Sequence, residues 1–161
     1  MTDGGTRRGR AAIAAPHPLK VRFKRLDPAA ERPRRGSAQA AAWDLTATSV
    51  ETEYLRGGLE VVTVHTGIAV EIPDGWYGDV RPRSSVYRTG LTLSNGCGVV
   101  DSDYRGEIMA RFYRLCGGDD YAQGERCVQL IIAPCPEVEW EEADELTVTV
   151  RGAGGYGSSG R

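Results

Sequence analysis

Asp101 stands in the run Asn95-Gly-Cys-Gly-Val-Val-Asp-Ser-Asp-Tyr-Arg-Gly-Glu-Ile-Met109, which reads as a β-hairpin with its tip at Asp101–Gly106. A carboxylate at a strand end can take a proton from water as a general base. Open backbone N–H and C=O groups beside the Asn95 amide match a pyrimidine edge, which alternates acceptor, donor, acceptor. Tyr104 offers a flat face for a sugar. The same residues also suit an ordinary acidic turn, with Asp103 and Arg105 solvated.

Four other patches carry usable groups. In Arg81-Pro-Arg-Ser-Ser-Val-Tyr-Arg-Thr-Gly90 a strand ends at Pro82 and a short helix follows around Ser84–Thr89, capped by Ser84 and ended by Gly90. Helix N-termini bind phosphate through free N–H groups, and Arg83 adds a fork of donors. Its plain use would be a capped surface helix. Gly124-Glu-Arg-Cys-Val-Gln129 opens an apolar strand, in which Gln129 needs a partner: a water, a phosphate or a structural one. Ala40-Ala-Ala-Trp-Asp-Leu-Thr-Ala47 sets Asp44 inside an apolar strand, where it requires backbone donors or a metal-bound water. The last patch is Arg151-Gly-Ala-Gly-Gly-Tyr-Gly-Ser-Ser-Gly160, with five glycines. It loses much backbone entropy on ordering and buries little, so it reads as a lid that orders over an anionic, ring-containing ligand. It is not a P-loop, because it lacks Gly-Lys-Ser/Thr and has no helix after it.

The elements that must position these groups are short. Alternating runs at Leu19–Leu26, Leu59–Val64, Gly67–Ile72, Trp76–Val80, Ile108–Tyr113, Val128–Ala133 and Leu146–Val150 are separated by Gly, Pro, Asn and Asp turns. Many short strands with one short helix predict an all-β barrel or sandwich. The 161 residues fit one domain, 19–150, with a leader at 1–18 and the lid at 151–161. Residues 27–40 read as a surface loop. The leader lacks an apolar h-region, so it is no secretory signal; it reads as disordered rather than as a transit peptide. A net charge of -2 argues against non-specific nucleic-acid binding. No run reaches the roughly 20 apolar residues of a membrane span. Cys97, Cys116, Cys127 and Cys135 form no CxxC pair, which disfavours zinc and suits free thiols in a reducing cytoplasm.

Taken in order, the patches Ala-Ala-Trp-Asp-Leu, Arg-Pro-Arg-Ser-Ser, Gly-Val-Val-Asp-Ser-Asp-Tyr-Arg-Gly-Glu-Ile, Gly-Glu-Arg-Cys-Val-Gln and Arg-Gly-Ala-Gly-Gly-Tyr-Gly-Ser-Ser-Gly resemble the five motifs of the trimeric dUTPases, over roughly Leu19–Gly160. The resemblance implies a distorted jelly-roll homotrimer with shared active sites. It implies dUTP diphosphatase activity, yielding dUMP and pyrophosphate, with Mg2+ bound through the substrate phosphates. By position, Asp101 would activate the attacking water. Asn95, Gly98, Val99, Val100 and Met109 would read uracil, and Tyr104 would pack under deoxyribose. Arg83, Ser84, Ser85 and Gln129 would hold phosphates and water. Asp44 would stand near the metal through water. Arg151 would reach the γ-phosphate, Tyr156 would stack on uracil, and Gly157 and Ser158 would cap the phosphate chain. Tyr156 replaces a usual Phe, Val128 a usual Ala, and Trp43 a smaller residue. Two alternatives share the fold: a dCTP deaminase, whose Trp-Ile-Asp-Pro-Gly hairpin is missing here, and a regulatory binding protein.

Overall fold

The computed structural model describes residues 18–155. Tyr156, Gly157 and Ser158 lie outside them, as does nearly all of the 1–18 leader. Nine strands and one 3-10 helix follow in order: β1 Arg22–Arg25, β2 Trp43–Thr46, β3 Ser49–Tyr54, β4 Glu60–Glu71, β5 Trp76–Pro82, the helix Ser84–Arg88, β6 Leu91–Leu93, β7 Gly98–Val100, β8 Glu107–Arg114 and β9 Arg126–Pro134. They form two antiparallel sheets of a distorted jelly roll. One runs β1-β4-β8-β6, with β3 also on β4; the other runs β2-β9-β5-β7.

Alternation places the core. In β8, Ile108, Ala110 and Phe112 are buried, while Met109 and Arg111 are exposed. They meet Val62, Val64, Ile68 and Val70 of β4 and, from the other sheet, Leu45, Val80, Val100, Val128 and Leu130. Burying such side chains contributes about 1.5–3 kcal/mol each before entropy.

Four local expectations change. The two runs at Leu59–Val64 and Gly67–Ile72 are one strand, β4, whose register against β8 shifts between His65 and Ala69. At that bulge Gly67 has φ +62°, and a Cβ there would stand 2.7 Å from Asp27 Cβ and 2.9 Å from Ala30 Cβ. Secondly, the helix is a single 3-10 turn. Arg83, not Ser84, is its N-cap, and no side chain caps it. Thirdly, β7 and β8 are not a hairpin: β7 pairs with β5, and β8 with β4 and β6. The turn at 101–106 therefore crosses from one sheet to the other. Finally, 146–150 forms no strand; Leu146, Val148 and Val150 are almost wholly exposed, so their alternation finds no core among the described residues. The polar strand β3, Ser-Val-Glu-Thr-Glu-Tyr, carries too weak an apolar signal to read from sequence; it is held by its pairing with β4.

Candidate active site

The charged side of the site is built where β2, β9 and β5 run together. Register puts Asp44 opposite Gln129, and Gln129 opposite Arg81. Asp44 is fixed by backbone bonds to Arg34 in both directions, 2.7 and 3.2 Å. Its carboxylate is largely buried and holds two guanidinium groups. Arg83 Nε donates to Oδ1 at 3.1 Å, and Arg126 Nη1 donates to Oδ2 at 3.0 Å. Arg83 also reaches the Arg126 carbonyl at 3.4 Å. Gln129 Nε2 donates to the Pro82 carbonyl at 3.0 Å, bracing the strand end from which Arg83, Ser84 and Ser85 project. The result is two forked cations around one carboxylate, a surplus of positive charge suited to phosphate oxygens. A five-residue 3-10 turn has little dipole, so the donors available to an anion here are the guanidinium groups and the serine hydroxyls rather than a helix end. Sequence reading singled out Gln129 in its patch and missed Arg126. The signal was an arginine at the mouth of an apolar strand, indistinguishable from a solvated one until Asp44 is seen beside it.

The second half of the candidate site lies around β6, β7 and β8. Ser94 N–H bonds to the Arg111 carbonyl at 2.8 Å, which brings Asn95 beside β8 and Met109. Asn95 Nδ2 also lies against Gly98, about 3.7 Å from where a Cβ would stand. Because β7 is the last strand of its sheet, one edge of Gly98, Val99 and Val100 carries no strand among the described residues. An edge strand, rather than a hairpin, thus supplies the free backbone donors and acceptors that a planar ring edge would match. Val99 and Met109 are exposed beside it. In the crossing turn, Tyr104 O–H donates to the Glu107 carbonyl at 3.0 Å. Its ring covers Gly106, where any Cβ would strike the phenol.

Asp101 is exposed on the same turn, beside a cleft of about 540 Å3 lined by Asp74, Trp76, Tyr77 and Cys135. Its place is decisive. Val100 pairs with Gly78 near the start of β5, whereas Arg83 follows Pro82 at the other end. Five residues, 78 to 83, at roughly 3.3 Å each put about 16 Å of strand between the position opposite Val100 and Arg83, and Gln129, opposite Arg81, lies about 10 Å along it. One chain brings together each half of the expected site, but not the two halves. Arg151 joins neither; its Nε donates to the Gly154 carbonyl at 2.8 Å.

The fold and the split polar cluster define a β-sandwich that presents guanidinium groups at one end of β5 and a carboxylate at the other. The chain belongs to the dUTPase family, whose profile matches residues 29–160. It is 37% identical over 145 residues to the deoxyuridine 5'-triphosphate nucleotidohydrolase of Rickettsia felis, covering 88% of this chain and 97% of that one. The Anaplasma marginale protein of the same name is 38% identical, covering 88% and 99%. Among solved structures, a variant of the Staphylococcus bacteriophage 80alpha dUTPase with dUpNHpp superposes with a TM-score of 0.76 at 24% identity, covering 88% and 99%. Among the described residues no helix is long and apolar enough to cross a membrane.

Proposed function

We propose that this protein hydrolyses dUTP to dUMP and pyrophosphate. The observation that carries the reading is the family match across residues 29–160, within which the Asp44, Arg83 and Gln129 cluster and the Asp101 turn fall. In the reaction, Asp101 takes a proton from water. The water oxygen attacks the α-phosphorus, and the bond from that phosphorus to the oxygen bridging to the β-phosphate breaks, releasing pyrophosphate. Arg83, with Arg126 behind Asp44, stabilises charge that grows on the phosphate oxygens. Ser84, Ser85 and Gln129 position the phosphates and the water. Asn95 and the open edge of β7 read uracil, and Tyr104 packs under the deoxyribose. Arg151, Tyr156, Gly157 and Ser158 close the site.

Among the described residues, no group of three His, Cys, Asp or Glu side chains forms a metal cage. Asp44, with both oxygens on guanidinium groups, fits an outer partner to a Mg2+ ion held by the substrate phosphates. Such an ion would screen triphosphate charge and fix its geometry.

The separation along β5 supports a shared site in a homotrimer: Asp101 of one copy would complete the phosphate cluster of another. Pyrophosphate release from each deoxynucleotide, with Mg2+ and with chelator, tests the reading. Release from dUTP alone, lost on chelation, is the expected outcome; equal release from dCTP and dTTP would remove it. Ammonia release from dCTP would instead mark a deaminase.

A further inference from the structure

His65 is used by none of the steps above, yet it sits beneath the base-and-sugar side of the site. On the outer face of β4 it pairs with Met109 of β8 and Ser49 of β3. Its Nδ1 bonds Glu107 Oε2 at 3.0 Å; both side chains are largely shielded, at 22% and 21% exposure. The other oxygen of Glu107 accepts the Gly67 N–H at 2.7 Å, across the β4 bulge. Glu107 is also the first residue of β8, and its carbonyl takes the Tyr104 hydroxyl. One residue thus ties three parts together: the Glu107 carboxylate holds the bulge and the imidazole, and its backbone carbonyl holds the crossing turn.

The charges facing His65 are acidic. Glu107 comes from β8, and Glu51 Oε2 from β3 stands 3.7 Å from Nε2, which has no hydrogen-bond partner. The next charge along the face, Arg111, lies 4.0 Å from Glu53. Asp27, packed under Gly67, accepts the Ala29 N–H at 2.7 Å. The bond to Glu107 outweighs burial, and with Glu107 and Glu51 charge raises the imidazole above its ordinary 6.5.

We infer that His65, acting through Glu107, is a positioning residue: its charge fixes where Tyr104 and Met109 stand, and so sets dUTP affinity and the preference for deoxyribose over ribose. The inference rests on the dUTP-hydrolysis reading. A neutral imidazole keeps the hydrogen bond but loses the attraction that holds Glu107 across the bulge.

The test compares KM and kcat for dUTP and UTP from about pH 6 to 9 in the wild type, His65→Asn and His65→Leu. The Asn amide nitrogen stands near the place of Nδ1, keeping a neutral bond without charge. Wild-type KM should rise as pH passes the raised imidazole value, and His65→Asn should lack that step with kcat within about twofold. His65→Leu should raise KM for dUTP about 10-fold, inside the roughly 100-fold that an ångström of misplacement costs, and should narrow the dUTP-over-UTP preference at every pH. A step shared by all three proteins belongs to the substrate's own phosphate titration and overturns the inference, as does an unchanged dUTP-to-UTP ratio in His65→Leu. If His65→Leu does not fold, the pH profile of His65→Asn decides alone. A wild type without dUTP turnover would sink the functional reading instead; wild-type turnover with insensitive variants sinks only this one.

Discussion

Asp101 and Asp44 are both carboxylates in the candidate site, and their surroundings give them different work. Asp44 is largely buried with a guanidinium on each oxygen, so it is engaged in holding Arg83 and Arg126 while each oxygen keeps a lone pair for water. Asp101 is exposed on a turn whose backbone, through Tyr104 N–H on the Asp101 carbonyl at 3.2 Å, leaves the side chain facing out. Only the second stands exposed and away from those guanidinium groups. Asp101→Asn keeps shape and hydrogen-bonding capacity but removes the base, so kcat should fall about 10²–10⁴-fold with KM nearly unchanged. Steady-state pyrophosphate release gives both constants, and retained kcat would take the base role away from Asp101. Residue types and order were enough to pick out Asp101, Asp44, Arg83 and Gln129. Arg126 escaped because the β2–β9 register sets it opposite Thr46, from where only its side chain reaches the Asp44 carboxylate.

The elements impose a tighter demand at the β4 bulge. Gly67 combines φ +62° with the backs of Asp27 and Ala30 within 2.9 Å of any added Cβ, and its N–H and C=O anchor Glu107 and Leu26. Gly67→Ala should therefore destabilise by about 1–3 kcal/mol through overpacking alone, with left-handed strain added. Urea unfolding would show this as a lower midpoint at unchanged m. The same bulge gives stability a pH dependence. His65 has its pKa raised on folding, so its contribution is complete below the unfolded value of 6.5 and disappears as pH climbs through the folded value. The melting-temperature gap between wild type and His65→Asn should be widest below about pH 6.5 and close as pH rises through the higher folded value. These features were hard to read in the chain. Glycine at 67 broke the apolar period and split β4 in two. The turn at 101–106 carries hairpin chemistry, yet it spans two sheets, because pairing partners are chosen by core burial rather than by the turn. The alternation of 146–150 was real, but a pattern cannot say which molecule it faces.

At the scale of the whole molecule, the chain carries complementary unfinished parts. Among the described residues strand β1 ends its sheet and displays Arg22, Lys24 and Arg25, with Lys20 just before it, while the segment after β9 forms no strand and carries Glu137, Glu139, Glu141, Glu142, Asp144 and Glu145. Trp140 is 92% exposed in that segment, more than a lone chain leaves a tryptophan in water without reason. Together with the roughly 16 Å of β5 between the position opposite Val100 and Arg83, this supports copies that exchange arms and complete each other's sites. Mixing variants tests it directly. An Asp101→Asn chain and an Arg83→Ala chain should each form nearly inactive assemblies. Refolded together at equal amounts, they should regain activity, because a site drawing its carboxylate from one chain and its guanidinium from another is intact in up to about a quarter of random pairings. Exchange is verified by tagging one chain and recovering the other with it. Recovered activity requires that the two groups act across a subunit boundary; mixed assemblies as inactive as their parents would place both on one chain and refute the shared site.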